Sequence, residues 1–218
     1  MGRRVVPLTL DLLDELAAPC RDCLFWEFDA VRRVGVTPEE VPAEKEAWVS
    51  GVLREWGSCG RVILLDDQPV GHVTYAPATF VPGSAGFPTA PISKDAVQMT
   101  AIWIRPEARG GGLGRVLIQA MARDLIGRGG IRAVEAFADK GPLSAIHGSR
   151  CAAPEQFLAR VGFKTHRPHP TAPRMRMDLH SILTWRDVEG AVERLIDVVR
   201  PRKVPMPQHR EVPGHRGG

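Results

Sequence analysis

An α/β fold is what this amino-acid sequence predicts, and three patterns carry the prediction. Residues 61–66 (RVILLD) and 70–76 (VGHVTYA) read as the two strands of an antiparallel hairpin. Residues 96–104 (AVQMTAIWI) form a nearly continuous apolar run stopped by Pro106, the pattern of a strand buried on both faces, and a glycine turn leads from it into an amphipathic helix. Residues 174–179 (RMRMDL) alternate strictly, with Met175, Met177 and Leu179 on one side, as a half-exposed antiparallel strand does.

In chain order, residues 4–8 (RVVPL) read as a short strand, and Thr9 caps a helix with a leucine stripe, LDLLDELAAP. Thr37-Pro38-Glu39-Glu40 has a helix-start signature: a capping threonine, proline at the first helical position and glutamate three residues after the cap. That helix is expected to end near Trp56-Gly57, and the hairpin follows, turning at Asp67-Gln68-Pro69. Residues 77–94 contain Pro77, Pro82, Pro88 and Pro91 with Gly83 and Gly86 and show neither helical nor strand periodicity. A loop of that length is either a functional lid or a disordered segment.

Beyond the 96–104 strand, apolar positions 113, 116, 117, 120, 121 and 125 follow helical spacing until Gly127, Gly129 and Gly130. Residues 131–138 (IRAVEAFA) are the next strand, 154–161 (PEQFLARV) a helix closed by Gly162-Phe163, and 164–167 (KTHR) the partner of 174–179. Thr184 with Asp187 starts a final helix whose stripe is Trp185, Val188, Val192, Leu195 and Val199. The expected division is therefore a domain over 1–180, a helix over 181–200 and a disordered, proline-rich basic tail over 201–218.

The chain has 218 residues, 44% hydrophobic and 25% charged, which excludes collagen-like and disordered classes and is enough for one sizeable core. The net charge of +4 comes from the end of the chain: Arg200, Arg202, Lys203, Arg210 and Arg216 stand against Glu211, five minus one. Such a tail without interleaved aromatics offers only weak, salt-sensitive attraction to nucleic acid, so a nucleic-acid partner is not expected. No stretch approaches the roughly 18 apolar residues of a membrane span, and a cytoplasmic location with reduced thiols is the expectation. Cys20 and Cys23 have zinc-knuckle spacing, but a structural site needs a second close pair, which Cys59 and Cys151 do not supply.

The specific signal is RPEARGGGLGR, residues 105–115, between the buried strand and the amphipathic helix. Glycines let the backbone approach a ligand closely and turn its N–H groups inward, and a helix N-terminus adds about half a positive charge, which together suit a phosphate. Arg115 and Val116 stand where a P-loop needs lysine and serine or threonine, and no register of the glycines meets the dinucleotide fingerprint.

What remains is R-x-x-G-x-G, met by Arg109, Gly112 and Gly114, and here the sequence resembles the GNAT-type N-acetyltransferases. The resemblance covers about residues 4–180 and includes the IRPE lead-in, the helix from 113 and the QFLARVGF segment. It implies a mixed, mainly antiparallel sheet of about seven strands, splayed where the cofactor arm enters. Acetyl-CoA is the implied cofactor. Its pyrophosphate would meet amides of Gly110, Gly111, Gly112, Leu113, Gly114 and Arg115 after Arg109, and its pantetheine arm the main chain of Ile102 and Ile104.

The implied reaction is direct attack of a primary amine, on a small molecule or a peptide, on the thioester. Deprotonating a lysine-like amine of pKa about 10.4 at neutral pH costs about 4 kcal/mol, whereas a thiol near 8.5 is about one unit away, so a general base matters more than an acid. The family often places a tyrosine acid just before the Gly-Phe signature; here that position is Leu158, and Tyr75 is the only tyrosine. Glu135, on the strand after the cofactor helix, is the first candidate base and Glu27 the second; His72 and His147 rank below them. Each has a plain structural alternative: a solvated outer-face carboxylate for Glu135, an ordinary loop carboxylate beside two core aromatics for Glu27, a satisfied sheet histidine for His72 and a place in a Gly-flanked loop for His147. The competing function is a non-catalytic acyl-CoA-binding module of the same fold, and the final helix leaves monomer and homodimer both open.

Overall fold

The computed structural model describes residues 2–16, 21–141 and 152–180. Strand β1 (Arg3–Pro7) lies at one sheet edge, and Thr9 Oγ1 accepts from the Leu12 amide to cap helix α1 (Leu10–Glu15). Helix α2 (Ala30–Val34) is capped by Asp29, and α3 (Val41–Glu55) leads to Gly57, whose φ of +103° turns the chain back toward the sheet. The expected start of α3 at Pro38 is corrected to Val41. Pro42 lacks an N–H and is tolerated only in a first turn; a start at Pro38 would put it in the helix interior. Glu40 instead closes a turn by accepting from the Thr37 amide at 2.9 Å.

Strands β2 (Gly60–Leu65) and β3 (Gln68–Ala76) form the hairpin, with the turn at Asp66 and Asp67, φ +47° and +66°. Aspartate tolerates the left-handed region that a two-residue hairpin turn demands, which moves the turn ahead of Pro69. β4 (Ala96–Ile104) pairs antiparallel with β3, helix α4 (Leu113–Arg128) follows, and β5 (Ala133–Asp139) returns parallel to β4. The short β6 (Ala153–Pro154) pairs with β5, helix α5 (Glu155–Arg160) ends before Gly162 at φ +106°, and β7 (Lys164–Arg167) and β8 (Arg174–Asp178) form the last antiparallel pair. The sheet order is β1-β2-β3-β4-β5-β8-β7, with β6 beside β5. The fold is thus mixed and mostly antiparallel, as expected.

Two cores flank the sheet. On one face α4 buries Leu117, Met121 and Leu125 against Ile63, Tyr75, Met99, Val134 and Met177. On the other, α1 and α3 bring Leu13, Val49 and Val52 against Val62, Ala101 and Phe137.

Residues 77–94, expected as lid or disorder, are ordered and docked on this second face. Short 3-10 turns occupy Ala78–Phe80 and Pro82–Gly86. Gly83 donates to the Trp26 carbonyl, and any Cβ there would meet the Phe25 carbonyl oxygen at 1.9 Å. Phe87 stacks on both Trp26 and Phe137, at 5.2 and 4.5 Å between ring centroids.

The opposite side of β8 was expected to be exposed, yet Arg174 is 2% exposed there. The expected helix over 181–200, the tail over 201–218, His147, Cys20 and Cys151 lie outside the described residues.

Candidate active site

The parallel pairing of β4 with β5 stops early. Ala96, Val97 and Gln98 face Ala133, Val134 and Glu135, and beyond that row the strands part. In β4 the register slips opposite Thr74 and Tyr75, which leaves Thr100 as the extra residue. Past the bulge, antiparallel alternation decides which main-chain groups meet β3. The Arg105 amide donates to the Val70 carbonyl at 2.8 Å, so Trp103 and Ala101 also bond to β3. The intervening Ile102 and Ile104 turn their N–H and C=O groups to the gap.

The gap opens toward the glycine turn. Pro106–Ala108 makes one 3-10 turn after β4, and Arg109 donates from Nε to the Ile104 carbonyl at 2.9 Å, tying the turn to the strand end. Gly110 and Gly112 have φ of +88° and +76°, values that a Cβ disfavours. A Cβ built on Gly110, Gly111 or Gly112 meets nothing within 4 Å, so these residues border open space. Among the described residues, no carbonyl or side chain accepts from the amides of Gly110 to Gly114. They sit at the positive end of the 16-residue α4, which has no side-chain cap. Unclaimed amides, a bare turn and a helix N-terminus are what a diphosphate requires, so the residues present fit coenzyme A. Gly114 serves a second purpose, since a Cβ there would stand 2.8 Å from Phe157 Cε2 and force α4 away from α5.

On the face away from α4, one row below the opening, Glu135 is fully buried. Its Oε2 accepts from the Ser93 amide at 3.0 Å and its Oε1 from Arg176 Nη1 at 3.1 Å. Arg176 also donates to both Asp95 oxygens, at 3.0 and 2.9 Å, and these bonds hold the Arg176 guanidinium above its usual range and the Asp95 carboxyl below its own. A solvated outer-face role therefore does not describe Glu135. Arg174 Nε lies 3.2 Å from Glu135 Oε2 without hydrogen-bond geometry.

Glu27 lies elsewhere, in a small cavity lined by Trp26, Lys45, His72, Thr74 and Ala101. It is 5% exposed, ion-paired with Lys45 and bonded to the Trp26 amide. His72 is 1% exposed, and neither ring nitrogen has a partner among the described residues; burial, then the Lys45 charge, lowers its pKa to about 4. No contact joins Glu27 to Glu135.

Leu158 stands in the core where the usual acid was missed, and Tyr75, on the α4 face, donates to Asp124 Oδ2 at 2.7 Å. Burial raises the Tyr75 pKa. Sequence reasoning missed Lys45, Gln98 and Arg174; only Gln98, a polar residue inside the apolar run AVQMTAIWI, carried a signal.

Residues 21–147, more than half of the chain, match the family model described as acetyltransferase (GNAT) family. The chain belongs to the GNAT acetyltransferase family. Its fold is that of solved structures at low identity. The PaiA N-acetyltransferase from Thermoplasma acidophilum in complex with coenzyme A is 13% identical, with a TM-score of 0.52 over 82% of this chain and 99% of that one. An N-acetyltransferase from Staphylococcus aureus Mu50 gives 16%, 0.52, 82% and 99%, and the aminoglycoside acetyltransferase AAC(6')-Ib in complex with coenzyme A 15%, 0.53, 85% and 99%. No curated protein sequence matches the chain. Family membership makes this GNAT protein an acetyltransferase that uses acetyl-CoA. Among the described residues, no helix is long and apolar enough to cross a membrane.

Proposed function

We propose that this acetyltransferase moves the acetyl group of acetyl-CoA to a primary amine by direct attack of the amine on the thioester. One observation carries the reading: the open glycine turn at the positive end of α4 leads into a gap walled by the main chain of Ile102 and Ile104, which β4 turns away from β3. Acetyl-CoA, when bound, supplies the activated acyl group. The amides of Gly110, Gly111, Gly112, Leu113, Gly114 and Arg115 are read as the donors to its diphosphate, and Ile102 and Ile104 as the partners of its arm, with Arg109 holding the turn against the strand.

Glu135 and Glu27 are read as anchors instead of proton acceptors. Each carboxylate is buried and already accepts from a cation and a main-chain N–H, the setting of a structural anchor. The amine gives its proton to water at the open side of the gap. The rate then follows the acceptor's own titration, rising about tenfold per pH unit below its pKa.

A thiol-release assay with acetyl-CoA over a panel of amines tests this. Turnover with a limb set by the amine is the expected result, with folded Glu135→Gln and Glu27→Gln variants within about tenfold of the parent. A carboxylate base would cost about 100- to 10,000-fold on such a change. Thermal stabilisation by coenzyme A without any thiol release would instead establish the binding-module reading.

A further inference from the structure

The cavity between α1, α3 and the sheet has a polar wall that the fold itself does not complete. Trp26, Glu27, Lys45, His72 and Thr74 line it, together with apolar Leu13 and Val49. Trp26 is 2% exposed and His72 1%. The indole Nε1 of the first and both ring nitrogens of the second have no hydrogen-bond partner among the described residues. Buried polar groups are nearly always matched, by protein or by ordered water, so three unmatched nitrogens on two residues of one cavity point to an occupant.

Size and charge say which occupant. The cavity measures about 10 Å³, room for one water molecule and for nothing larger. Glu27 is ion-paired with Lys45 and accepts from the Trp26 amide, so its charge is already balanced and a further cation would stand beside the Lys45 ammonium. Lys45 also donates to the Cys23 carbonyl at 3.0 Å, and the Thr74 and Thr100 hydroxyls share a hydrogen bond of 2.8 Å. A neutral molecule that both donates and accepts fits what remains.

We infer that this cavity is a binding site for one internal water, which accepts from Trp26 Nε1 and shares a second hydrogen bond with a ring nitrogen of His72. Indole offers a donor only, and a neutral imidazole one donor and one lone pair, so a single water matches two of the three nitrogens. Burial, then the Lys45 charge, keeps His72 in that neutral form at pH 7. A third bond, to spare lone pairs of Glu27 or Thr74, brings the water to the usual count of about three. The molecule thereby ties β3 to the segment before α2 beside the Glu27–Lys45 pair.

The test is water-selective NMR on the isotope-labelled full chain at pH 7. It reads cross-relaxation from water to the Trp26 indole N–H and to His72 Hε1, the ring proton between the two nitrogens. The expected result is a cross-peak at both positions, with the sign of a water bound for longer than the protein takes to tumble. His72→Phe keeps a flat ring at the site without its nitrogens, and loss of the Trp26 cross-peak is expected. Oxygen-17 relaxation dispersion of the solvent, compared between parent and variant, should fall by the contribution of one long-lived water per chain.

A Trp26 indole N–H without a water cross-peak overturns the inference, because the cavity is then dry or the indole has a direct protein partner. So does a cross-peak at Trp26 that His72 does not share, or one that persists in folded His72→Phe, since either removes His72 from the site. Should His72→Phe fail to fold, the two cross-peaks of the parent decide alone. None of these outcomes bears on acyl transfer, which the thiol-release assay tests separately.

Discussion

Gly114 shows how one position serves two demands. Its amide belongs to the unclaimed set at the start of α4, while its missing Cβ lets Phe157 of α5 approach to where that atom would stand. Replacement by alanine leaves φ undisturbed, since only Gly110 and Gly112 in this turn are left-handed, so its cost is overpacking alone. Gly114→Ala is expected to lose about 1–3 kcal/mol of stability, read from denaturant midpoints. Phe157→Leu in the same chain should restore most of it, and a double-mutant cycle with no coupling would contradict the contact. The glycine run was legible because backbone freedom is written in the residue itself. The two roles within it were not, because Phe157 reaches Gly114 only through the packing of α5 on α4.

At the scale of elements, β4, α4 and the hairpin could be read from periodicity, and the start of α3 could not, because Pro42 overrides an otherwise sound capping signature at Thr37. The site's polar half was hidden for a different reason. Glu135, Arg174 and Arg176 alternate as an ordinary exposed edge would, and only the pairing of β8 with β5 under the 77–94 segment buries them. Arg176 is the hinge of that arrangement, bonded to Asp95, Glu135 and Asp178 across three strands' worth of chain. Arg176→Met leaves the fully buried Glu135 with the poorly aimed Arg174 as its only guanidinium. The expected loss is about 3–5 kcal/mol, with hydrogen exchange accelerated first in β8. A loss below about 1 kcal/mol would mean that β8 does not depend on the pair.

For the whole molecule, pH stability follows from the second core. An unfolded chain binds a proton at His72 below about 6.5, whereas burial keeps the folded side chain neutral down to about 4. The unfolded state therefore holds the extra proton between those values, and stability falls as pH drops through that window, by of order 3 kcal/mol in all. His72→Gln should flatten this limb in urea titrations, and an unchanged slope would place the acid sensitivity elsewhere. The global claim is that a bare main-chain turn at the head of α4 binds a diphosphate. The most direct measurement is calorimetric titration with coenzyme A and with pantetheine, which lacks that group, into the parent and a Gly112→Val variant. Coenzyme A should bind the parent at least tenfold more tightly than pantetheine and lose that advantage in Gly112→Val; equal affinities for the two compounds in the parent would contradict the account.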